Sequence, residues 1–239
     1  MQKNLIQSII NKYYLRDNIN TVKWAVKSKV LTIKFMSPSH DMIGSINIRN
    51  FDLEDCEFVI YDSSQLLKLI SILEDDVRLE LVKKHELPIN LKMSDSKFKQ
   101  TYFLSDIMLA PKVGKVKDIG PFDLDFDISE VSTDLIKAKE ALKDSDKFIF
   151  ESDLSSAKFI FGEDNNFSNK IELEVPLTNP SKISTRIPFN SLLFKEILYS
   201  NKDLPSGRVS INIKGLMRLE FSNEDGTFYT QYNLLRVSN

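Results

Sequence analysis

The residues able to do chemistry in this sequence are few and scattered. His40 and His85 are the only histidines, set in the polar contexts SPSHD and KKHEL. A histidine works as a general base only with a nucleophile or a metal co-ligand placed to help it, and neither has one at a telling spacing. Cys56 is the single cysteine, so no disulfide forms within the chain and a reducing compartment is expected. Asp123, Asp125 and Asp127 alternate with Phe122, Leu124, Phe126 and Ile128 in PFDLDFDIS. Three carboxylates on one strand face can hold a hard cation. No glycine-turn ligand loop accompanies them, so a solvated acidic face is the simpler reading, and neither metal nor cofactor is expected. Phosphate loops, GxGxxG, HExxH, CxxC and GxSxG are all missing, as are zinc-finger, RNA-recognition and helix-turn-helix patterns. The chain reads as non-catalytic.

What remains is lysine. Four amphipathic segments show polar, lysine-bearing faces opposite or beside their apolar stripes. The first, near the N-terminus, shows Asn4, Ser8, Asn11 and Lys12. The second shows Ser64, Lys68 and Ser71. The third shows Lys137 and Glu140 flanked by Lys139 and Lys143, and the fourth Ser191, Lys195 and Lys202. Exposed helix lysines are usually solubilising. They can also meet phosphate, and a net charge of −2 excludes only a globally basic DNA-coating protein.

The elements carrying these lysines follow a repeated order. FVIYDSSQLLKLISILEDDVRLEL, Phe58–Leu81, reads as strand, helix, strand, with Leu66, Leu69, Ile70 and Leu73 at helical spacing. RIPFNSLLFKEILYSNKDLPSGRVSINI, Arg186–Ile213, reads the same way. A shift of 127 positions pairs Ser64 with Ser191, Leu66 with Leu193, Lys68 with Lys195 and Ile70 with Ile197. Upstream of each copy lies a further helix: Ile6, Ile9, Ile10 and Tyr13 stripe one, and Val131, Leu135, Ala138 and Leu142 the other. Two half-chains of similar build are expected, in an α+β fold with two helices per half packed on antiparallel sheets. The boundaries fall at 1–109 and 121–239, with 110–120 as connector, because SDIMLAPKVGKVKDIG interrupts the pattern with Pro111, Gly114 and Gly120. The 42% hydrophobic content suits a globular core, and no apolar run is long enough for a membrane span.

In this order the pieces FVIYDSSQLLKLISILEDD, IMLAPKVGKVKDIGPF, the 131–143 helix, PSGRVSINIKGLMRLEF and YTQYNLL resemble the DNA sliding clamps of T-even-like bacteriophages. The loop FMSPSHDMIGSINI is similar to the matching loop of the wider trimeric clamp superfamily. The resemblance runs over most of the chain and is weakest in the first helix and in 21–36. It implies a homotrimeric ring of clamp domains that encircles duplex DNA without reading its sequence. Such a ring tethers the replicative DNA polymerase, is loaded by a clamp loader complex, and acts in the cytoplasm of the infected bacterial host. On that reading Lys12, Lys68, Lys137, Lys139, Lys143, Lys195 and Lys202 line the hole.

The resemblance also implies two further surfaces. Subunits join through edge strands, here Lys97, Phe98, Lys99, Gln100, Thr101, Tyr102, Phe103 and Leu104 against Lys170, Ile171, Glu172, Leu173, Glu174 and Val175. Client peptides enter an apolar cleft, here Met36, Met42 and Ile43, then Ile107, Met108, Leu109 and Pro111, then Leu235 and Val237. The rival reading of Ile107–Leu109 is a seal at the domain junction. The rival reading of the whole chain is a β-rich phage tail or baseplate subunit forming a ring without DNA.

Overall fold

The computed structural model describes residues 1–114, 121–162, 168–177, 183 and 185–237. The second part of the expected connector, 115–120, lies outside them. Two compact units emerge. The first comprises Met1–Pro38, Gly44–Gly114 and Thr227–Thr230. The second comprises Ser39–Ile43 and the described residues within Lys115–Gly226 and Gln231–Asn239.

In the first unit, helix α1 (Lys3–Tyr14) precedes strands β1 (Val22–Lys27), β2 (Val30–Met36), β3 (Met42–Arg49) and β4 (Cys56–Ile60). Helix α2 (Ser63–Ser71) follows, then β5 (Arg78–Lys84), β6 (Leu87–Ser94) and β7 (Lys99–Phe103). The strands order as β4-β1-β2-β3 and as β5-β6-β7. Tight reversals join neighbours: Ser28 and Lys29, with φ of 51° and 60°, turn β1 into β2, and His85 and Glu86, at 49° and 64°, turn β5 into β6. Both residues of each pair are left-handed, as a two-residue hairpin turn requires, so His85 serves the turn. Helices α1 and α2 pack on each other, burying Ile6, Ile9, Ile10, Tyr13, Leu66 and Ile70. The Tyr13 ring lies 6.4 Å from that of Phe35 on β2. Gly44 on β3 makes room for the same ring: a Cβ there would sit 2.2 Å from Phe35.

The second unit holds β8 (Leu124–Asp127), α3 (Ser132–Ala141), β9 (Lys147–Ser152), β10 (Ser156–Gly162), β11 (Lys170–Pro176) and β12 (Ile187–Asn190). Helix α4 (Ser191–Ser200) then leads to β13 (Ser206–Asn212), β14 (Leu216–Ser222) and β15 (Phe228–Leu235), of which Gln231 onward belongs to this unit. The orders are β11-β10-β9-β12 and β15-β14-β13-β8. Its core is a phenylalanine cluster around Phe148, whose ring lies 4.5 Å from Phe194 of α4 and 5.9 Å from Phe159 of β10. Offset aromatic contacts of this kind add to the burial of large apolar rings.

The repeat is present, but its register differs by one residue from the sequence pairing. Asp62 caps α2, its Oδ1 accepting from the Gln65 amide at 2.9 Å; Asn190 caps α4, its Oδ1 accepting from the Leu193 amide at 3.0 Å. Behind each cap a fully buried serine ties the helix start to the unit: Ser63 Oγ donates to the Asn20 carbonyl at 2.7 Å, and Ser191 Oγ to that of Ser145. Cap on cap and serine on serine give a shift of 128, from 62 to 190 and from 63 to 191. Lys68 then corresponds to Glu196 rather than to Lys195. The lysine echo at a shift of 127 is therefore a coincidence of composition, because the capping geometry fixes the helix phase. Asp62→Ala and Asn190→Ala are each expected to lower unfolding free energy by about 1 kcal/mol in urea titrations, with the same direction in both units.

Candidate nucleic-acid and subunit surfaces

The helix lysines divide sharply. Lys68, Lys137, Lys143 and Lys202 are exposed. Lys137 reaches Asp134 at 3.1 Å with both side chains largely in solvent, and such a pair adds little stability. Lys202 Nζ sits 4.4 Å above the Tyr199 ring, a placement that holds the cation at the surface.

Of the lysines expected to reach phosphate, Lys12 and Lys139 are buried and Lys195 is half-buried. Lys12 is fully buried: its Nζ donates to Ser8 Oγ at 2.9 Å and lies 5.2 Å from the Phe228 ring centroid. At about 100° per residue Lys12 falls roughly 110° from the apolar stripe of α1, on its flank rather than opposite, and Phe228 covers that flank. Lys139 is 5% exposed and donates to the Leu142 and Lys143 carbonyls at 3.2 and 2.7 Å, closing the end of α3. Burial, and then the nearby Lys195 charge, hold its ammonium below the usual lysine range. Lys195 keeps 13% of its side chain exposed and pairs with the buried Glu196 at 3.0 Å. The position of Lys139 was readable, since on α3 it borders the Leu135–Ala138 stripe; the cover over Lys12 comes from a distant strand and was not.

The acidic strand is spent on local structure. Asp125 pairs with Arg208 of β13, Asp123 Oδ2 accepts from the Ile213 amide at 2.8 Å, and Asp127 Oδ1 from the Ser129 amide at 2.8 Å. Among the described residues no group of three or more His, Cys, Asp or Glu side chains is placed to hold a metal ion. Burial, followed by the neighbouring carboxylates, pushes the Cys56 thiol up to about 11, leaving it a poor nucleophile at neutral pH.

Both expected edge strands lie at sheet edges: β7 ends the order β5-β6-β7, and β11 ends β11-β10-β9-β12. Their open backbone groups follow from the ladder. Leu104 N donates to the Ile89 carbonyl and Asp95 N to that of Phe98, so even-numbered residues of β7 bond inward. Lys99, Thr101 and Phe103 present N–H and C=O outward. On β11, Leu177 N donates to the Ser155 carbonyl, which turns Lys170, Glu172 and Glu174 outward. Phe103 is 66% exposed, an apolar side chain on an open edge. Lys97 pairs with Glu74, and Phe98 is exposed. Gln100 and Leu104 are half-buried. Tyr102 is a core residue: its ring is 1% exposed and stacks on Tyr61, and its OH donates to the Asp62 carbonyl at 3.1 Å. Only its backbone belongs to the strand surface, and the same holds for the buried Val175. Ile171 and Leu173 are half-buried.

The apolar peptide-cleft residues are unequal too. Ile107–Leu109 form a single 3-10 turn capped by Asp106, whose Oδ1 accepts from the Met108 amide at 2.8 Å. Met108 and Leu109 stand 86% and 68% exposed, with Pro111 also exposed and Ile107 half-buried. Met42 is fully buried and so offers no side chain to a partner. Met36, Ile43 and Val237 are half-buried and Leu235 is exposed.

No protein-family model and no curated protein sequence matches the chain. Solved structures do. Proliferating Cellular Nuclear Antigen from Entamoeba histolytica matches with a TM-score of 0.77 at 16% identity, over 100% of this chain and 97% of that one. A chain of the C-terminal region of FEN-1 bound to A. fulgidus PCNA matches at 0.75 and 16%, with the same coverage. The PCNA2–PCNA3 complex from Sulfolobus tokodaii matches at 0.75 and 14%, over 99% and 97%. The chain therefore has the α+β DNA-clamp fold over its whole length.

The burial of Lys12 carries its own test. Lys12→Glu is expected to lower unfolding free energy by about 3 kcal/mol, while Lys12→Met stays within about 1 kcal/mol of the parent in urea titration.

Proposed function

We propose that this protein is a non-catalytic sliding clamp: a homotrimeric ring that encircles duplex DNA and tethers a replicative polymerase, loaded by a clamp loader in the cytoplasm of a phage-infected bacterium. The observation that carries this reading is the clamp fold over the full chain, together with an open edge strand on each unit and exposed lysines on α2, α3 and the end of α4. A neighbour's β11 would add to β7, with Lys97 and Lys99 facing Glu172 and Glu174. Repeating that head-to-tail contact closes a ring when the rotation fits. Topological linkage then supplies retention, so a protein of charge −2 needs only weak phosphate contacts. Lysine suits sliding, being a hydrated point charge without fixed hydrogen-bond geometry. Met108 and Leu109, exposed on their turn, are the anchors proposed for client peptides. The matched structures give the tail or baseplate reading no support.

The lysine set for testing is now Lys68, Lys137, Lys143 and Lys202. Reversing all four to glutamate should leave the oligomer intact and sharply reduce processive synthesis on primed circular templates at moderate salt. Normal processivity in that variant would remove the DNA-lining assignment. Assembly has a separate check. Thr101→Pro deletes an outward N–H and leaves the β6 ladder bonds of the even-numbered residues in place, so sedimentation should show monomers whose circular-dichroism spectrum matches the parent's. A trimer of parental strength would place the subunit contact elsewhere.

A further inference from the structure

The strands between the two helices of each unit answer charge differently on their outer faces. In the second unit these are β9 to β12, between α3 and α4. Lys158 on β10 stands directly opposite Glu151 on β9 and Glu174 on β11. Its ammonium reaches Glu174 at 3.1 Å, and Arg186 reaches Glu151 at 3.3 Å. Each cation of that row has its anion within the unit. In the first unit the strands are β1 to β4, between α1 and α2. Here Lys23 on β1 stands directly opposite Lys34 on β2. Like charges opposed across a ladder are destabilising. Glu57 of β4 answers Lys23 at 3.2 Å. Lys34 is exposed and has no ion pair among the described residues.

The neighbours of this lysine pair add donors. Trp24, Ile33, Phe35 and Ile46 turn inward and are buried, which sends Lys23, Thr32, Lys34, Ser45 and Asn47 to the opposite face. Thr32 Oγ1 donates to Asn47 Oδ1 at 3.1 Å, and a Cβ on Gly44 would meet the Phe35 ring. Both contacts give the same antiparallel register, in which Ser45 stands beside Lys34. With its oxygen bonded to Thr32, Asn47 leaves its Nδ2 donors unused among the described residues, as do the Ser45 hydroxyl and the exposed Arg49 guanidinium. Ser45, Asn47 and Arg49 follow one another at every second residue of β3, so their donors repeat about every 6.8 Å.

We infer that this face of β1, β2 and β3 receives an extended acidic segment of another protein, with glutamates or aspartates at alternate positions. An ionised carboxylate only accepts hydrogen bonds, so ammonium, guanidinium, amide and hydroxyl donors all suit it. One carboxylate over Lys34 relieves the opposition to Lys23. Carboxylates two residues apart on an extended chain repeat at the spacing of the β3 donors. Single-stranded nucleic acid is the poorer fit, because none of these positions carries an aromatic ring on which a base could stack. The face involves neither the β7 and β11 edges, nor the exposed helix lysines, nor the turn bearing Met108 and Leu109. The inference therefore goes beyond the clamp reading and stands whether or not the protein encircles DNA.

The test uses the full chain and a blocked peptide of alternating glutamate and threonine. Fluorescence anisotropy at low salt should show saturable binding that added salt weakens. Lys34→Glu sets opposite charges across the β1–β2 ladder, so its circular-dichroism spectrum should match the parent's while binding weakens about tenfold or more. Lys84→Glu makes the same change of net charge on the β5–β6 hairpin and should bind as the parent does. A glutamine–threonine peptide should not bind, and oligothymidylate should not displace the glutamate peptide. Absence of saturable binding, equal binding of the glutamine peptide, equal weakening by Lys34→Glu and Lys84→Glu, or displacement by oligothymidylate would overturn the inference. So would release of subunits from an oligomer when the peptide is added, which would make a second copy of this chain the occupant.

Discussion

Unpaired backbone groups at strand edges are the constraint on which the rest of this structure depends. A sheet edge in water must be paired, covered or made inhospitable to chance partners. Each unit here stacks two helices against its own strands, and each leaves one short sheet with an open rim, β7 in the first and β11 in the second. The outward groups of β7 sit beside Lys97 and Lys99, and those of β11 beside Glu172 and Glu174. Within their own units Lys97 already pairs with Glu74, and Glu172 and Glu174 with Lys158, so what each rim leaves open is its backbone.

Helix phase decides which side chains those rims and helices have to offer. The sequence displays strand alternation and helical stripes well enough to locate every helix and nearly every strand within a few residues. Strands Cys56–Ile60 and Arg78–Lys84 and helix Ser63–Ser71 fall where periodicity puts them. The repeat was legible for the same reason, since both halves must bury a stripe of the same spacing. Its phase was not. Composition favours a shift that matches lysine to lysine, while the N-cap oxygens of Asp62 and Asn190 and the buried serines behind them impose one residue more. Capping is decided by a few hydrogen bonds at one end of a helix, and composition averaged over the segment does not register it.

Burial by distant elements was the other thing hidden in the sequence. Lys12 looks solvent-facing until Phe228, more than two hundred positions away, is laid over it. Met42 looks like an adaptable surface methionine until β3 turns it fully inward. Tyr102 alternates as an interface residue should, yet its hydroxyl ties back to Asp62 beside the cap of α2. Each miss has one cause: a local pattern states which faces exist, and only the assembled unit states which are covered. The exposed set, Lys68, Lys137, Lys143 and Lys202, is smaller and leaves α1 without a member.

The proposed ring would explain how so few cations hold an acidic protein on an acidic polymer, because closure would replace affinity with topology. Salt would then weaken the lysine contacts without releasing the protein, whereas a surface-bound protein would dissociate as counterions compete. The most direct measurement is the lifetime of the loaded protein on a nicked circular plasmid against the same plasmid cut once. The proposed clamp remains on the circle at elevated salt and leaves the linear form quickly by its ends. Equal lifetimes on the two forms would contradict the account.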